Sequence, residues 1–96
     1  MRKQDLVRVV AQRTKQTDAQ SALAVNAVFA AIQDALADGD EVTISGFGAF
    51  RVIHRSARAG HNPRTGGRMT IGARRSPAFR AGSQLKRAVG GTSSDD

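Results

Sequence analysis

The chain has 96 residues, a net charge of +7 and no cysteine, so a disulfide framework and a thiolate metal site are excluded. A chain of this length forms at most one domain and buries only about 60 to 65% of the surface that its unfolded form exposes, which makes self-association the expected source of further burial. The N-terminus is too charged for a secretory signal and no apolar run approaches the roughly 18 residues of a membrane span, so we expect a cytoplasmic protein with no membrane partner.

Two helices are predicted at the start of the chain. Apolar residues recur at helical spacing within residues 3–14, which indicates a short first helix. Thr17 and Gln20 have the spacing of a capping box, which predicts the start of a second helix. That helix is expected to end at Gly39 in a left-handed C-cap. Because residues 18–38 contain no Lys or Arg, the two helices are interpreted as a scaffold rather than as a helix-turn-helix that reads DNA.

Residues from Glu41 onward predict β-strands, because the apolar period changes from helical to two. The stretch GFGAF is expected to turn the chain between two strands, with Gly46 and Gly48 in backbone conformations that other residues resist. After this turn the alternation puts Arg51 and Arg55 on one face of a strand and mainly apolar side chains on the other.

The second half of the chain predicts a long β-hairpin and a last helix. The segment GHNPRTGG, residues 60–67, contains turn signals and forms the expected loop of the hairpin. A returning strand is expected over residues 68–79. Helical spacing in residues 82–90 predicts a short C-terminal helix that carries Lys86 outward. The last residues, GTSSDD, are expected to be disordered.

The positive charge is concentrated in this second half. Residues 1–45 have a net charge of −1, residues 46–90 hold ten basic residues and no acid, and the last six residues add −2. Such a block indicates a polyanionic partner. Arginine suits phosphate groups and the narrow minor groove of DNA, while the absence of Tyr and Trp argues against a stacking platform for single strands or RNA. Double-stranded DNA is therefore the expected partner.

No combination of residues in the sequence predicts catalysis. His54 and His61 have no acid near them in the sequence, and no serine lies in a G-x-S-x-G motif. The glycines do not form a phosphate loop followed by Lys-Ser/Thr. We therefore expect no enzyme, no cofactor, no metal site and no small-molecule substrate.

Three segments carry a resemblance to a known family. GFGAF, GHNPRTG and PAFRAGSQLK, with their mutual spacing and the two preceding helices, resemble the HU/IHF family of bacterial histone-like, DNA-bending proteins, and HU more closely. The resemblance implies an α+β fold with two N-terminal helices, a three-stranded antiparallel sheet with a long β-hairpin arm, and a short C-terminal helix, in an intertwined dimer.

The implied organisation is one domain and a tail. Residues 1–90 are expected to form an HU/IHF-like DNA-binding domain, with a helical dimerisation body at 1–40, the sheet and DNA-binding arm at 41–81 and the C-terminal helix at 82–90, and residues 91–96 a disordered acidic tail. A homodimer is expected, and a heterodimer with a paralogue stays open. The expected dimer core consists of Val25, Phe29, Ile32, Leu36, Ile44, Phe47, Phe50 and Phe79.

The resemblance also implies a function. In this family each β-arm wraps DNA along the minor groove, and the proline of the Asn-Pro-x-Thr-Gly tip is a wedge between base pairs, a position that Pro63 matches. The expected function is that of a nucleoid-associated architectural protein that binds double-stranded DNA with little sequence specificity and bends, wraps or condenses it. The expected DNA-binding residues are Lys3, Arg51, Arg55, Arg58, His61, Asn62, Pro63, Arg64, Thr65, Gly66, Arg68, Arg74, Arg75, Arg80 and Lys86.

Four positions depart from the pattern of the family. His61 stands where Arg or Lys is usual, so one tip cation is expected to be lost at neutral pH and regained below about pH 6.5. Ser83 replaces a common lysine, Ile53 lies on the cationic face of its strand, and Gly67 replaces a charged residue beside the tip. Two alternatives stay open: a site-specific DNA-bending factor like integration host factor, and an RNA- or ribosome-associated basic protein.

Overall fold

The computed structural model describes residues 1–56, 58–61, 64 and 66–91. Within them it confirms the predicted fold class, because two N-terminal helices precede an antiparallel three-stranded sheet, a β-hairpin arm and a last helix. The elements in chain order are α1 Lys3–Thr14, α2 Asp18–Ala37, β1 Val42–Ile44, β2 Gly48–Arg55, β3 Arg58–His61, β4 Arg68–Ile71, β5 Arg74–Ala81 and α3 Ser83–Gly90.

The two N-terminal helices begin and end where local signals predict. The capping box at the start of α2 is confirmed, since the Gln20 N–H donates to Thr17 Oγ1 at 3.1 Å and the Thr17 N–H donates to Gln20 Oε1 at 3.2 Å. Gly39 follows the end of α2 with a φ of 87°, as expected for a left-handed C-cap. The end of α1 was not predicted in detail: Lys15 takes the left-handed conformation there, with a φ of 55°.

The sheet has the strand order β1-β2-β5, and both neighbouring pairs are antiparallel. The β2–β5 ladder ends at the pair Arg55 and Arg74, and a second antiparallel ladder, β3–β4, begins at the pair Arg58 and Ile71. Both ladders keep the same register, so they form one long hairpin, as predicted. The returning strand differs from the prediction, because it is divided into β4 and β5 by residues 72–73, which lie outside the strands.

The GFGAF stretch connects β1 to β2 by a tight turn, which confirms that it joins two strands. The Phe47 N–H donates to the Ile44 carbonyl at 2.9 Å, and Gly46 has a φ of 78°, a value that a type II turn requires at its third residue. The same turn receives the start of α3, because the Gly82 N–H donates to the Phe47 carbonyl at 2.7 Å. The turn therefore holds the C-terminal helix against the sheet.

Gly48 is needed for close packing between β2 and β5. A Cβ built on this residue lies 2.5 Å from the Phe79 ring and 2.6 Å from the Arg80 carbonyl oxygen, and its φ is 159°. Phe79 also contacts two other rings, with centroid distances of 4.8 Å to Phe50 and 5.6 Å to Phe47. The glycine thus lets β2 approach β5 closely enough for this aromatic cluster to form.

The core of a single chain is incomplete. Among the residues whose burial the structure describes, only Ala11, Ser21, Val25 and Gly48 are buried, while the aromatic side chains Phe29, Phe47 and Phe79 are 47%, 45% and 43% exposed. The accessible surface is 7900 Å², against about 5300 Å² for a folded monomer of this mass. The radius of gyration is 19.2 Å, against about 12.5 Å for a compact domain of this length. One chain alone therefore leaves much of its apolar surface in contact with water.

Candidate nucleic-acid interface

The two strands that form the base of the arm, β2 and β5, have two faces of different character. Residues that pair across an antiparallel ladder lie on the same face, and the face alternates along each strand. The pair Val52–Pro77, and Phe50 of the pair Phe50–Phe79, line a cleft against α2 together with Phe29. This is the helix-facing side of the arm base.

The opposite side carries the arginines that the sequence places away from the apolar face. Arg55 pairs directly with Arg74, Arg51 pairs with Ala78, and Arg80 pairs with Ala49. All four arginines are exposed. We call this set, Arg51, Arg55, Arg74 and Arg80, the outer arginine face. Because residues 42–94 contain no Asp or Glu, no acid from the arm itself neutralises it.

Ile53 belongs to the same side of β2 as Arg51 and Arg55, as the alternation predicts, and it pairs with Ser76. This pair separates the cations into two groups along the arm base. Arg51 and Arg80 lie near the shoulder of the arm, by which we mean the turn from β1 to β2 and the first residues of β2 (residues 45–49), and Arg55 and Arg74 lie where the ladder ends. A phosphate backbone that follows the arm would therefore meet one pair of cations near the β1–β2 turn and a second pair at the end of the β2–β5 ladder.

Arg75 does not belong to the outer arginine face. It pairs with His54 on the helix-facing side, and its Nη2 donates to the Ala37 carbonyl oxygen at 3.3 Å. The sequence predicts Arg75 as one of the DNA-binding arginines and does not predict this contact. The signal was present in the alternation, because Arg75 has the same parity as Pro77 and Phe79.

A concavity of about 290 Å³ lies where the β2–β5 ladder ends, and it is lined by His54, Arg55, Ser56, Ala73, Arg74 and Arg75. The guanidinium groups of Arg55 and Arg74 and the Ser56 hydroxyl are donors that suit a phosphate group, whereas the Arg75 guanidinium is already bonded to the Ala37 carbonyl. The break between the two ladders therefore brings together two cations of the outer arginine face and a hydroxyl donor.

The outer part of the arm holds the other predicted arm residues. Arg58, His61 and Arg68 lie on the β3–β4 ladder, where His61 pairs with Arg68. Arg64 and Gly66 are exposed beyond this ladder. The tip residues Asn62, Pro63 and Thr65 lie outside the described residues, so their predicted roles remain predictions.

The two predicted body cations lie on separate helices. Lys3 is the first residue of α1 and is exposed, whereas Lys86 is half-buried on α3. Helix α1 packs against α2, and α2 packs against β1 and β2. The structure therefore places Lys3 and Lys86 on different elements from the outer arginine face.

Two kinds of feature are absent from the described ranges: a cluster of metal-ligating side chains and a membrane-spanning helix. In these ranges no three His, Cys, Asp or Glu side chains come together in a way that could hold a metal ion. None of the helices in the same ranges has the length and apolar character to cross a membrane.

Several known proteins similar to this chain are described as DNA-binding proteins. A family model described as bacterial DNA-binding protein matches residues 1–90. The chain is 52% identical over 87 residues to DNA-binding protein HU of Streptococcus thermophilus, with 91% of this chain and 96% of that protein covered. It is 47% identical over 89 residues to DNA-binding protein HU-1 of Halalkalibacterium halodurans, with 93% and 99% covered. An Anabaena HU–DNA cocrystal structure is similar with a TM-score of 0.85 and 40% identity, and the match covers 95% of this chain and 99% of that one.

Proposed function

The chain belongs to the bacterial DNA-binding protein family, and from this premise we propose that it binds double-stranded DNA with little sequence specificity and bends it. The observation that carries the proposal is the outer arginine face, with four exposed guanidinium groups on one side of the arm base. Contacts to phosphates carry no base information, so such a face binds duplexes of any sequence. The proposed role is architectural, in the nucleoid of the bacterial cytoplasm.

The proposed binding unit is a dimer of this chain. Support comes from two open apolar clefts, one of about 420 Å³ between α2 and the β2–β5 ladder and one of about 300 Å³ between α1 and α2. Phe29 lines both clefts and Leu36 lines the larger one. A second copy would cover these surfaces and give a chain of this length the burial that it lacks alone. The proposed dimer core is the set of eight apolar residues given above.

In the proposed mechanism two arms, one from each protomer, hold one duplex. The outer arginine faces displace counterions from the phosphates, which supplies most of the affinity. At each tip Pro63 enters between two base pairs and unstacks them at a cost of a few kcal/mol, and the resulting bend brings more of the duplex against cationic surface. The roles of the tip and of the body cations Lys3 and Lys86 are part of this proposal.

A competition experiment at several salt concentrations tests the proposed function. If all four outer arginines of both protomers contact phosphates, log K should fall with log salt with a slope of up to about −7, since each contact contributes about 0.9. Linear duplex, nicked duplex and structured RNA should compete in one assay, with nicked duplex bound most tightly because it bends at lower cost. An affinity that hardly changes with salt would contradict the mechanism. Preference for structured RNA would favour an RNA-binding role, and preference for one DNA sequence a site-specific bending factor.

Replacing Pro63 with alanine is expected to reduce DNA bending more than affinity, because the wedge acts on the bent state and the arginines remain. Energy transfer between dyes at the two DNA ends should report a longer end-to-end distance at saturating protein, while the affinity falls by less than about tenfold. Pro77→Ala is the matched control, since Pro77 is the other proline of the chain and pairs with Val52 in the arm base. Equal bending by Pro63→Ala and the unaltered protein would show that Pro63 is not the wedge.

A further inference from the structure

The C-terminal end of α2 has an unfavourable set of neighbouring charges. The helix has no basic residue in its last turn, and Asp34, Asp38, Asp40 and Glu41 all lie close to its end in sequence. A helix C-terminus carries a partial negative charge from its free carbonyl groups, and cations stabilise it. A cation for this end must therefore come from another part of the chain.

Local hydrogen bonds satisfy some of these carbonyl groups. The Gly39 N–H donates to the Leu36 carbonyl at 3.0 Å and the Asp40 N–H donates to the Ala35 carbonyl at 2.9 Å, the two bonds of a Schellman motif. The Ala37 carbonyl takes no part in this motif. Its donor is the Arg75 guanidinium, at 3.3 Å, so one residue of β5 supplies both the hydrogen bond and the positive charge.

The position of Arg75 makes this contact a link between the arm and the helical body. Arg75 is the second residue of β5, near the point where the β2–β5 ladder ends and the outer ladder begins. A cleft of about 420 Å³ separates α2 from this end of the ladder, with Leu36, Val52 and Pro77 in its wall. The bond from Arg75 spans the margin of this cleft, because both Arg75 and Ala37 line it.

We propose that Arg75 is a positioning residue that fixes the base of the arm to the end of α2 and so sets the direction of the arm toward DNA. This proposal rests on the proposed function, because direction matters only if the arms hold a duplex. Arg74, the preceding residue, lies on the outer arginine face and pairs with Arg55. Two adjacent arginines therefore have different roles. The Arg74 guanidinium contacts a phosphate, and the Arg75 guanidinium holds the arm base against the end of α2.

Arg75→Gln and Arg74→Gln are a matched pair of variants, because each removes one positive charge per protomer and the two positions are adjacent. Comparing them separates phosphate contact from attachment of the arm base to α2. Arg74→Gln should lower the magnitude of the salt slope by about 1.8, for two phosphate contacts per dimer, and leave the bend unchanged at saturating protein. Arg75→Gln should leave the salt slope unchanged and give a broader distribution of DNA end-to-end distances with a longer mean. Arg75→Lys retains a donor and a charge and should restore the bend.

Two results would overturn the proposal. A salt slope lowered equally by Arg75→Gln and Arg74→Gln would show that Arg75 contacts a phosphate. A bend identical to that of the unaltered protein would show that the link does not direct the arm. If the unaltered protein neither binds nor bends duplex DNA, the proposed function is wrong. That result differs from both results above, which concern only the role of Arg75.

A measurement on the unaltered protein decides the question if Arg75→Gln does not fold. Amide hydrogen exchange at Gly39 and Asp40 reports whether the end of α2 stays closed. Saturation with duplex DNA should leave this exchange unchanged or slower, because Arg75 stays on the Ala37 carbonyl. Faster exchange on DNA binding would show that the end of α2 opens when the duplex is held, and would contradict the assignment.

Discussion

Replacement of Arg55 and Arg74 together with glutamine is expected to lower the affinity for duplex DNA by roughly 100- to 1000-fold at 0.1 M salt. The two residues pair directly on the outer arginine face, so a dimer loses up to four phosphate contacts, and the salt slope should become shallower by about 3 to 4. Folding should not suffer. Like charges directly opposite in an antiparallel pair are destabilising, so the melting temperature is expected to stay the same or rise slightly.

The matched control for this prediction is Arg8→Gln with Arg13→Gln on α1, which changes the net charge by the same amount. Arg8 is paired with Asp5 at 3.2 Å, and both side chains are exposed, so its loss costs at most about 1 kcal/mol of stability. Fluorescence anisotropy across a salt series should show a small loss of affinity for the control and a large one for the arm variant. Equal losses would mean that overall charge, rather than the outer arginine face, determines binding.

Much of the fold follows from signals that are local in the sequence. The capping box of Thr17 and Gln20 and the glycine at position 39 determine the ends of α2 within a few residues, so its bounds are predictable. The period of two in β2 likewise predicts which face Arg51 and Arg55 share. These features depend on neighbours one to four positions apart, and a single sequence contains that information.

The parts that could not be predicted depend on how distant elements pack. The contact from Arg75 to Ala37 joins residues 38 positions apart, and it exists because β5 passes the end of α2. The division of the returning strand at residues 72–73 has a local signal in Gly72, but a single glycine does not tell whether a strand stops there or only bulges. The alternation does place Arg74 and Arg75 on opposite faces, but only the packed structure shows that one of these faces meets the end of α2, where Arg75 donates to the Ala37 carbonyl.

Gly48→Val is expected to impair folding and dimerisation before it affects any DNA contact. Its Cβ would lie 2.5 Å from the Phe79 ring and 2.6 Å from a backbone carbonyl oxygen, so β2 and β5 must separate and the aromatic cluster must open. Backbone strain at a φ of 159° and overpacking together cost about 3 to 6 kcal/mol. That is a large part of the roughly 5 to 15 kcal/mol by which small proteins are stable.

Circular dichroism and light scattering measure this loss directly, and alanine variants separate its two causes. Gly48→Ala and Gly39→Ala both add one methyl group at a positive φ, but nothing lies within 4 Å of a Cβ at Gly39, so that control carries only backbone strain of about 1 to 2 kcal/mol. Gly48→Ala should therefore destabilise the protein more than Gly39→Ala. A well-folded Gly48→Val dimer that has selectively lost DNA binding would contradict the assignment of Gly48 to the shoulder of the arm, because the residue would then act at the DNA surface and not in the packing that supports it.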